Sequence, residues 1–210
     1  MTRPVSVVLT GVAGQPVLAT ARLLAEAALL AALDVSCSEC PRPVHGRGSV
    51  TVFVRMGGRV WSPSVAEGEA DVLVAFEEIE ALRAAPWLAP HGFAAVSRHL
   101  RPTWRMRAGL EVVPEDVTAV LLRRSERVVG VRAETLSRRF DGGMHAGTHA
   151  GLVLLGVVSP VLPIPAAALD AALCAGGAEG LDSRRHAVAR GRKLFEALPE
   201  RIAARRERRG

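Results

Sequence analysis

Three short segments hold the residues of this chain whose types and spacing could do chemistry. The first is Gly11-Val12-Ala13-Gly14-Gln15-Pro16, set between an apolar run at Val5–Leu9 and a long Ala/Leu-rich run. Glycines at 11 and 14 allow a sharp turn and close backbone approach to a bound group, and N–H groups at a helix start favour an anion. Pro16 suits the first helical turn, where its missing N–H has no intrahelical role. The segment lacks the third glycine of a dinucleotide fingerprint, and Ala13 fills the second place. From the residues alone, two readings stand: a phosphate or carboxylate cradle, or a turn that simply closes a strand-helix unit.

The second segment runs from Ser38 to Ser49 and gathers Glu39, Arg42, His45, Arg47, Gly48 and Ser49. Two readings stand: an arginine there can grip a carboxylate or phosphate through two parallel bonds, or the segment is a surface loop whose arginines are simply solvated. Arg47 is the expected anion partner. Glu39 is expected either to pair with Arg47 or to act as an orienting group in catalysis. The third segment is Phe76-Glu77-Glu78, at the end of an apolar strand.

Other chemistries lack their residues. Lys193 is the one lysine, so the glycine turn cannot be a Walker-type phosphate loop. No G-x-S-x-G elbow is present. Cys37 and Cys40 have metal- or redox-type spacing but no second pair, and Pro41 and Pro43 stop a helix behind them. Three cysteines, an odd count, argue against a disulfide framework. His145 and His149 stand four apart without a glutamate between them, a poor metal pair. The net charge of +6 comes almost wholly from arginine, and aromatic residues are 4% of the chain, so no nucleic-acid partner is expected. No apolar run reaches the roughly 18 residues of a membrane span, and no signal layout precedes the first strand; a cytoplasmic chain is expected.

The elements that must position these segments follow from periodicity. Strands are expected at Val5–Leu9, Asp34–Glu39, Val50–Arg55, Val60–Trp61, Asp71–Phe76, Gly92–Ser97 and Val128–Val131. Helices are expected at Gln15–Leu33, after Glu77, from Pro114 toward Arg123, at Glu134–Phe140, and at Thr148–Val158, Ala166–Leu173 and Asp182–Leu198. The alternation implies one α/β domain over residues 1–210, a doubly wound, mostly parallel, Rossmann-like sheet with a helical C-terminal extension and a basic tail at 199–210. In such a sheet ligands gather at the strand carboxyl ends. There Gly11, Gly14, Gln15, Arg47, Gly48 and Ser49 are expected to line one substrate- or cofactor-binding cleft. The helix at Thr148–Val158 is apolar over most of its circumference and is expected to need cover from the core or a partner.

In order along the chain these segments resemble the gamma-type subunits of 2-oxoacid:ferredoxin oxidoreductases, most of all the beta subunit of the indolepyruvate enzymes. The family's G-x-G-G-Q-G turn stands as Gly11 to Pro16, its S-E strand end as Ser38-Glu39, and its Q-R-G-G-S-V loop end as His45-Gly46-Arg47-Gly48-Ser49-Val50. Its V-R-x-G is Val54 to Gly57, its G-E-A-D-V-L-x-A-F-E is Gly68 to Glu77, and its late L-L-G and L-P-I are Leu154–Gly156 and Leu162–Ile164.

The resemblance implies a subunit that supports oxidative decarboxylation of a 2-oxoacid, with coenzyme A as co-substrate, to an acyl-CoA. Thiamine diphosphate, Mg2+ and iron–sulfur clusters are expected on a large partner chain, ferredoxin is reached through the complex, and a homo-oligomer is also open. No cofactor and no metal are expected in this chain itself. Ala13 and Pro16 depart from the family's glycines, as does the rearranged His45–Gly48 segment. Two other classes remain open: a stand-alone nucleotide- or flavin-binding protein, and a non-catalytic assembly subunit.

Overall fold

The computed structural model describes residues 3–40, 48–100, 102, 106, 108–110, 116–138 and 149–199. Six strands form one sheet in the order β2-β3-β1-β4-β5-β6. They are β1 (Val5–Val12), β2 (Asp34–Glu39), β3 (Ser49–Gly57), β4 (Ala70–Ala75), β5 (Leu88–Ser97) and β6 (Arg127–Val131). β1, β4, β5 and β6 run parallel to their neighbours in that group, whereas β3 is antiparallel to both β1 and β2. The sheet is thus parallel apart from one strand, which comes back alongside β1.

Seven helices pack on it: α1 (Val17–Leu30), α2 (Glu78–Ala84), α3 (Val117–Leu122), α4 (Ala133–Ser137), α5 (Ala150–Val158), α6 (Ala166–Ala175) and α7 (Leu181–Glu196), counted among the described residues. Strand alternation sorts the core into two layers. Val7, Leu9, Val52, Val54, Val72 and Val74 face α1 and the α5–α7 group. Val8, Phe53, Leu73, Ala75, Ala94 and Val96 face α2 and α3. Both faces of the parallel strands are covered, which is why Val72-Leu73-Val74-Ala75 reads as an unbroken apolar run.

Several expectations change. Val60-Trp61 is not a strand: Asp34 Oδ2 accepts the Val60 N–H at 2.7 Å, Arg59 lies 3.9 Å over the Trp61 ring, and Trp61 is 79% exposed. β5 begins at Leu88, and its pairing with β4 shifts register between Ala70 and Val72, beside Pro90 and Gly92. α1 starts two residues later than its periodicity suggests and leaves Leu18, Leu29 and Leu30 exposed, so its solvated stripe is wider than Arg22 and Glu26.

The C-terminal helices are not an appendage. α5 is buried at every residue, and α7 lies along it within the same core layer. The cover that this apolar segment requires comes from its own chain. His145 and the tail beyond Pro199 lie outside the described residues. No helix among the described residues is long and apolar enough to cross a membrane.

Candidate functional site

The helix after β1 lies on one face of the sheet and the helix after β4 on the other, so the carboxyl ends of these adjacent strands mark the topological switch point where open α/β sheets take ligands. The glycine turn leaves β1 there, and Phe76-Glu77 leaves β4 beside it. Their union is Gln15. Its Oε1 accepts the Val12 N–H at 2.9 Å, while Nε2 donates to the Phe76 carbonyl at 2.9 Å and to Glu134 Oε1 at 3.4 Å. Glu134 Oε2 in turn lies 3.1 Å from His99 Nδ1, and the His99 carbonyl accepts the Glu78 N–H at 3.0 Å. One side chain therefore ties together the ends of β1 and β4 and a His–Glu pair beyond β5.

Gly11 is required by this bracket. A β-carbon there would stand 2.6 Å from Gln15 Oε1, 2.8 Å from Val17 Cγ2 and 3.0 Å from Phe76 Cβ. Gly14 serves differently, with φ at +86° in the left-handed region that glycine tolerates. Four of the N–H groups at the turn, with Gly14's not among them, bond inside the chain. Val12 N–H goes to Gln15, Ala13 N–H to the Gly48 carbonyl at 2.5 Å, Gln15 N–H to the Val12 carbonyl at 3.0 Å and Val17 N–H to the Gln15 carbonyl at 2.9 Å. Pro16 caps α1 without a side-chain bond. The geometry is that of a closed turn more than of an open row of donors.

The Gly48-Ser49 end of the second segment joins the turn directly. Ser49 stands opposite Val12 in the β1–β3 register, and the Ser49 hydroxyl bonds Glu80 Oε2. Arg83 Nη1 donates to Glu80 Oε1 at 2.6 Å, and Glu77 caps α2 by accepting the Glu80 N–H at 2.9 Å. Glu77 and Glu80 are each 1% exposed. On the same face the Thr10 and Thr51 hydroxyls meet at 3.1 Å, so Thr10, Ser49 and Thr51 line the sheet under the start of α2.

Glu39 stands apart. It is exposed at the end of edge strand β2, paired with Val52, and β3 separates it from β1. Arg47, Arg42 and His45 lie outside the described residues. Of the expected cleft, Gly11, Gly14, Gln15, Gly48 and Ser49 come together. Cys37 and Cys40 are free thiols on and just beyond β2, and burial pushes the Cys37 thiol above its ordinary value against the opposing pull of Arg22. Among the described residues no three His, Cys, Asp or Glu side chains gather as a metal set would.

Sequence reading passed over Glu80, Thr10, Thr51 and the His99–Glu134 pair. Some of the signal was present. Ser49 and Thr51 are two apart in a strand, which sets both hydroxyls on one face. Glu77, Glu78 and Glu80 read as charges favourable to a helix dipole, and nothing local shows that two of them are buried.

An indolepyruvate oxidoreductase subunit IorB from Pyrococcus horikoshii is 39% identical over 113 residues, 52% of this chain and 54% of the relative. One of the same name from Archaeoglobus fulgidus is 33% identical over 136 residues, 64% of this chain and 67% of the relative. The match to the Pyrococcus relative thus spans about half of that protein. Among solved structures, the keto/oxoacid ferredoxin oxidoreductase gamma subunit of Geobacter sulfurreducens superposes with a TM-score of 0.67 at 15% identity, over 92% of this chain and 99% of that one. The 2-oxoglutarate:ferredoxin oxidoreductase of Magnetococcus marinus superposes at 0.69 and 16% identity, over 95% of this chain and 32% of the other. At these identities the likeness is one of fold. The pyruvate ferredoxin/flavodoxin oxidoreductase family profile matches residues 6–194, nearly the whole described core, and the chain belongs to that family.

Proposed function

We propose that this chain is the gamma-type subunit of a 2-oxoacid:ferredoxin oxidoreductase acting on indolepyruvate or another aryl 2-oxoacid. The carrying observation is the family match over residues 6–194, joined to the hydrogen-bonded cluster of the Gly11–Gln15 turn, Gly48-Ser49 and Phe76–Glu80 at the sheet's switch point, where open α/β sheets form a ligand crevice. In this reading the crevice borders the substrate and coenzyme A region of a larger assembly. The redox step belongs to a partner chain bearing thiamine diphosphate with Mg2+ and iron–sulfur clusters. These 210 residues hold three cysteines, of which Cys37 and Cys40 stand at β2 and Cys174 on α6, so they cannot supply a four-cysteine cluster set. What they supply is shape, hydrogen bonds and a docking surface.

The test is reconstitution. Co-expression with a thiamine- and cluster-binding chain should give a complex that reduces ferredoxin or a viologen dye when supplied with indolepyruvate and coenzyme A. Each chain alone should leave the dye oxidised. Failure to co-purify, or flavin absorbance in this chain alone that survives desalting, would replace the reading with a stand-alone flavin-binding one.

A further inference from the structure

We propose that Glu80 is a positioning residue that holds Ser49 as a hydrogen-bond acceptor, so that the group received beside Ser49 is an N–H or O–H donor and not an anion. The inference rests on the reading of this chain as an oxidoreductase subunit and names what its crevice takes.

Both oxygens of the Glu80 carboxylate are engaged, Oε1 by the Arg83 guanidinium at 2.6 Å and Oε2 by the Ser49 hydroxyl. The carboxylate of an ion pair only accepts, so the single proton of the Ser49 hydroxyl is directed at Glu80. The lone pairs of Oγ remain for a neighbour. Ser49 is half-buried, whereas Glu80 is 1% exposed and cannot turn to solvent without losing both partners.

Three backbone donors of the turn are committed to the chain as well, with the exposed Gly14 N–H not among them. Val12 N–H is held by Gln15 Oε1, Ala13 N–H by the Gly48 carbonyl, and Gln15 N–H by the Val12 carbonyl. The Gln15 amide directs its two N–H bonds at the Phe76 carbonyl and at Glu134. Both protons of that NH2 group are therefore in use. Beside Ser49 a phosphate or carboxylate would meet the buried Glu80 carboxylate and none of these donors free. A donor would meet the Ser49 lone pairs.

Two molecules of the proposed reaction bear such a donor: the indole N–H of an aryl 2-oxoacid, and the amide N–H groups of the pantetheine arm of coenzyme A. Steady-state kinetics of the reconstituted complex separates them. Ser49→Ala should raise the KM of one of the two about tenfold, the loss of an ordinary hydrogen bond, and should raise it more than it lowers kcat. The affected KM identifies the source. Ser49→Thr, which keeps the hydroxyl, should restore it.

Glu80→Gln gives a side chain that can donate to Oγ and free the serine proton. It should raise the same KM and introduce inhibition by inorganic phosphate that the wild-type complex lacks. If Glu80→Gln does not fold, the Ser49→Ala and Ser49→Thr pair carries the test. Normal wild-type turnover with both KM values unchanged in Ser49→Ala overturns the acceptor assignment. So does phosphate inhibition of the wild-type complex that Ser49→Ala abolishes. A wild-type complex without 2-oxoacid turnover overturns instead the functional reading beneath it.

Discussion

Gly156 and Gly191 meet where α5 lies along α7, and neither helix leaves room for a β-carbon. One built on Gly156 would stand 2.2 Å from the Val188 carbonyl oxygen and 3.0 Å from Gly191 Cα. One built on Gly191 would stand 2.1 Å from the Val153 carbonyl oxygen and 2.8 Å from Gly156 Cα. The obstacles are backbone, which cannot swing aside as a side chain can. This contact is how α5, apolar at all seven of its positions other than its two glycines, is sealed within its own chain, and it removes that helix as a reason to expect an oligomer.

Gly191→Ala should therefore destabilise the chain by about 3 kcal/mol, the upper end of what overpacking costs. Gly58→Ala is the control, because a β-carbon there meets nothing within 4 Å. Urea unfolding followed by circular dichroism should give a much lower midpoint for the first and an unchanged one for the second. Equal midpoints would mean that the two helices can part without loss.

A second prediction concerns the Gln15 bracket. Gln15→Ala leaves the Val12 N–H and the Phe76 carbonyl without their partner. Such part-buried groups cost about 1–3 kcal/mol when abandoned. Gln15→Glu should be at least as harmful at neutral pH, since a carboxylate would face the Phe76 carbonyl oxygen and Glu134. Lowering the pH until carboxyl groups protonate should narrow the gap between Gln15→Glu and wild type. A thermal midpoint for Gln15→Ala within a degree of wild type would show the bracket to be incidental.

Local pattern carries much of this fold. β2 matches its expected Asp34–Glu39 bounds, and the apolar run at Asp71–Phe76 marks a central strand, because burial on both faces leaves a strand no polar positions. The antiparallel setting of β3 is less legible, since strand direction depends on how a connection closes in space and not on alternation. The candidate site divides in the same way. Gly11, Gly14 and Gln15 are visible as a turn. That Gln15 reaches Phe76 and Glu134, 61 and 119 residues away, is set by tertiary packing. Ser49 with Glu80 is a pair of the same kind, 31 residues apart. That Glu39 sits at the sheet edge is equally hidden, because a carboxylate ending a strand reads alike at an edge and at the centre of a sheet.

Where α6 packs against α7, Arg185 grips Asp170 with two bonds of 2.7 Å, from Nε to Oδ1 and from Nη2 to Oδ2. These bonds, above all, hold the Asp170 carboxyl below its ordinary value. A depressed carboxyl favours the fold above its unfolded value and loses that contribution as pH falls through the folded one. The Asp170 carboxyl carbon, followed by NMR, should titrate at lower pH than an aspartate of the unfolded chain. In Arg185→Ala it should return to the ordinary range. No difference between the two proteins would make the pair a contact without electrostatic consequence.

Cys37 supplies the opposite sign. Desolvation raises its thiol above the ordinary value of 9.0, and the Arg22 charge opposes that without cancelling it. Below the ordinary value the thiol is protonated in folded and unfolded chains alike. As pH rises toward the folded value, the unfolded chain ionises first, so the contribution to stability is lost across that alkaline window. The thiolate is the nucleophile, so the pH at which iodoacetamide alkylation of the Cys37 peptide reaches half its maximal rate reports the titration. That pH should be higher in the native chain than in urea, and higher again in Arg22→Ala, which removes the opposing cation. Reading the pH of half-maximal rate, and not the rate itself, separates ionisation from the slower access that any folded chain imposes. A native value at or below the one in urea would mean that the charge of Arg22 outweighs burial at this strand.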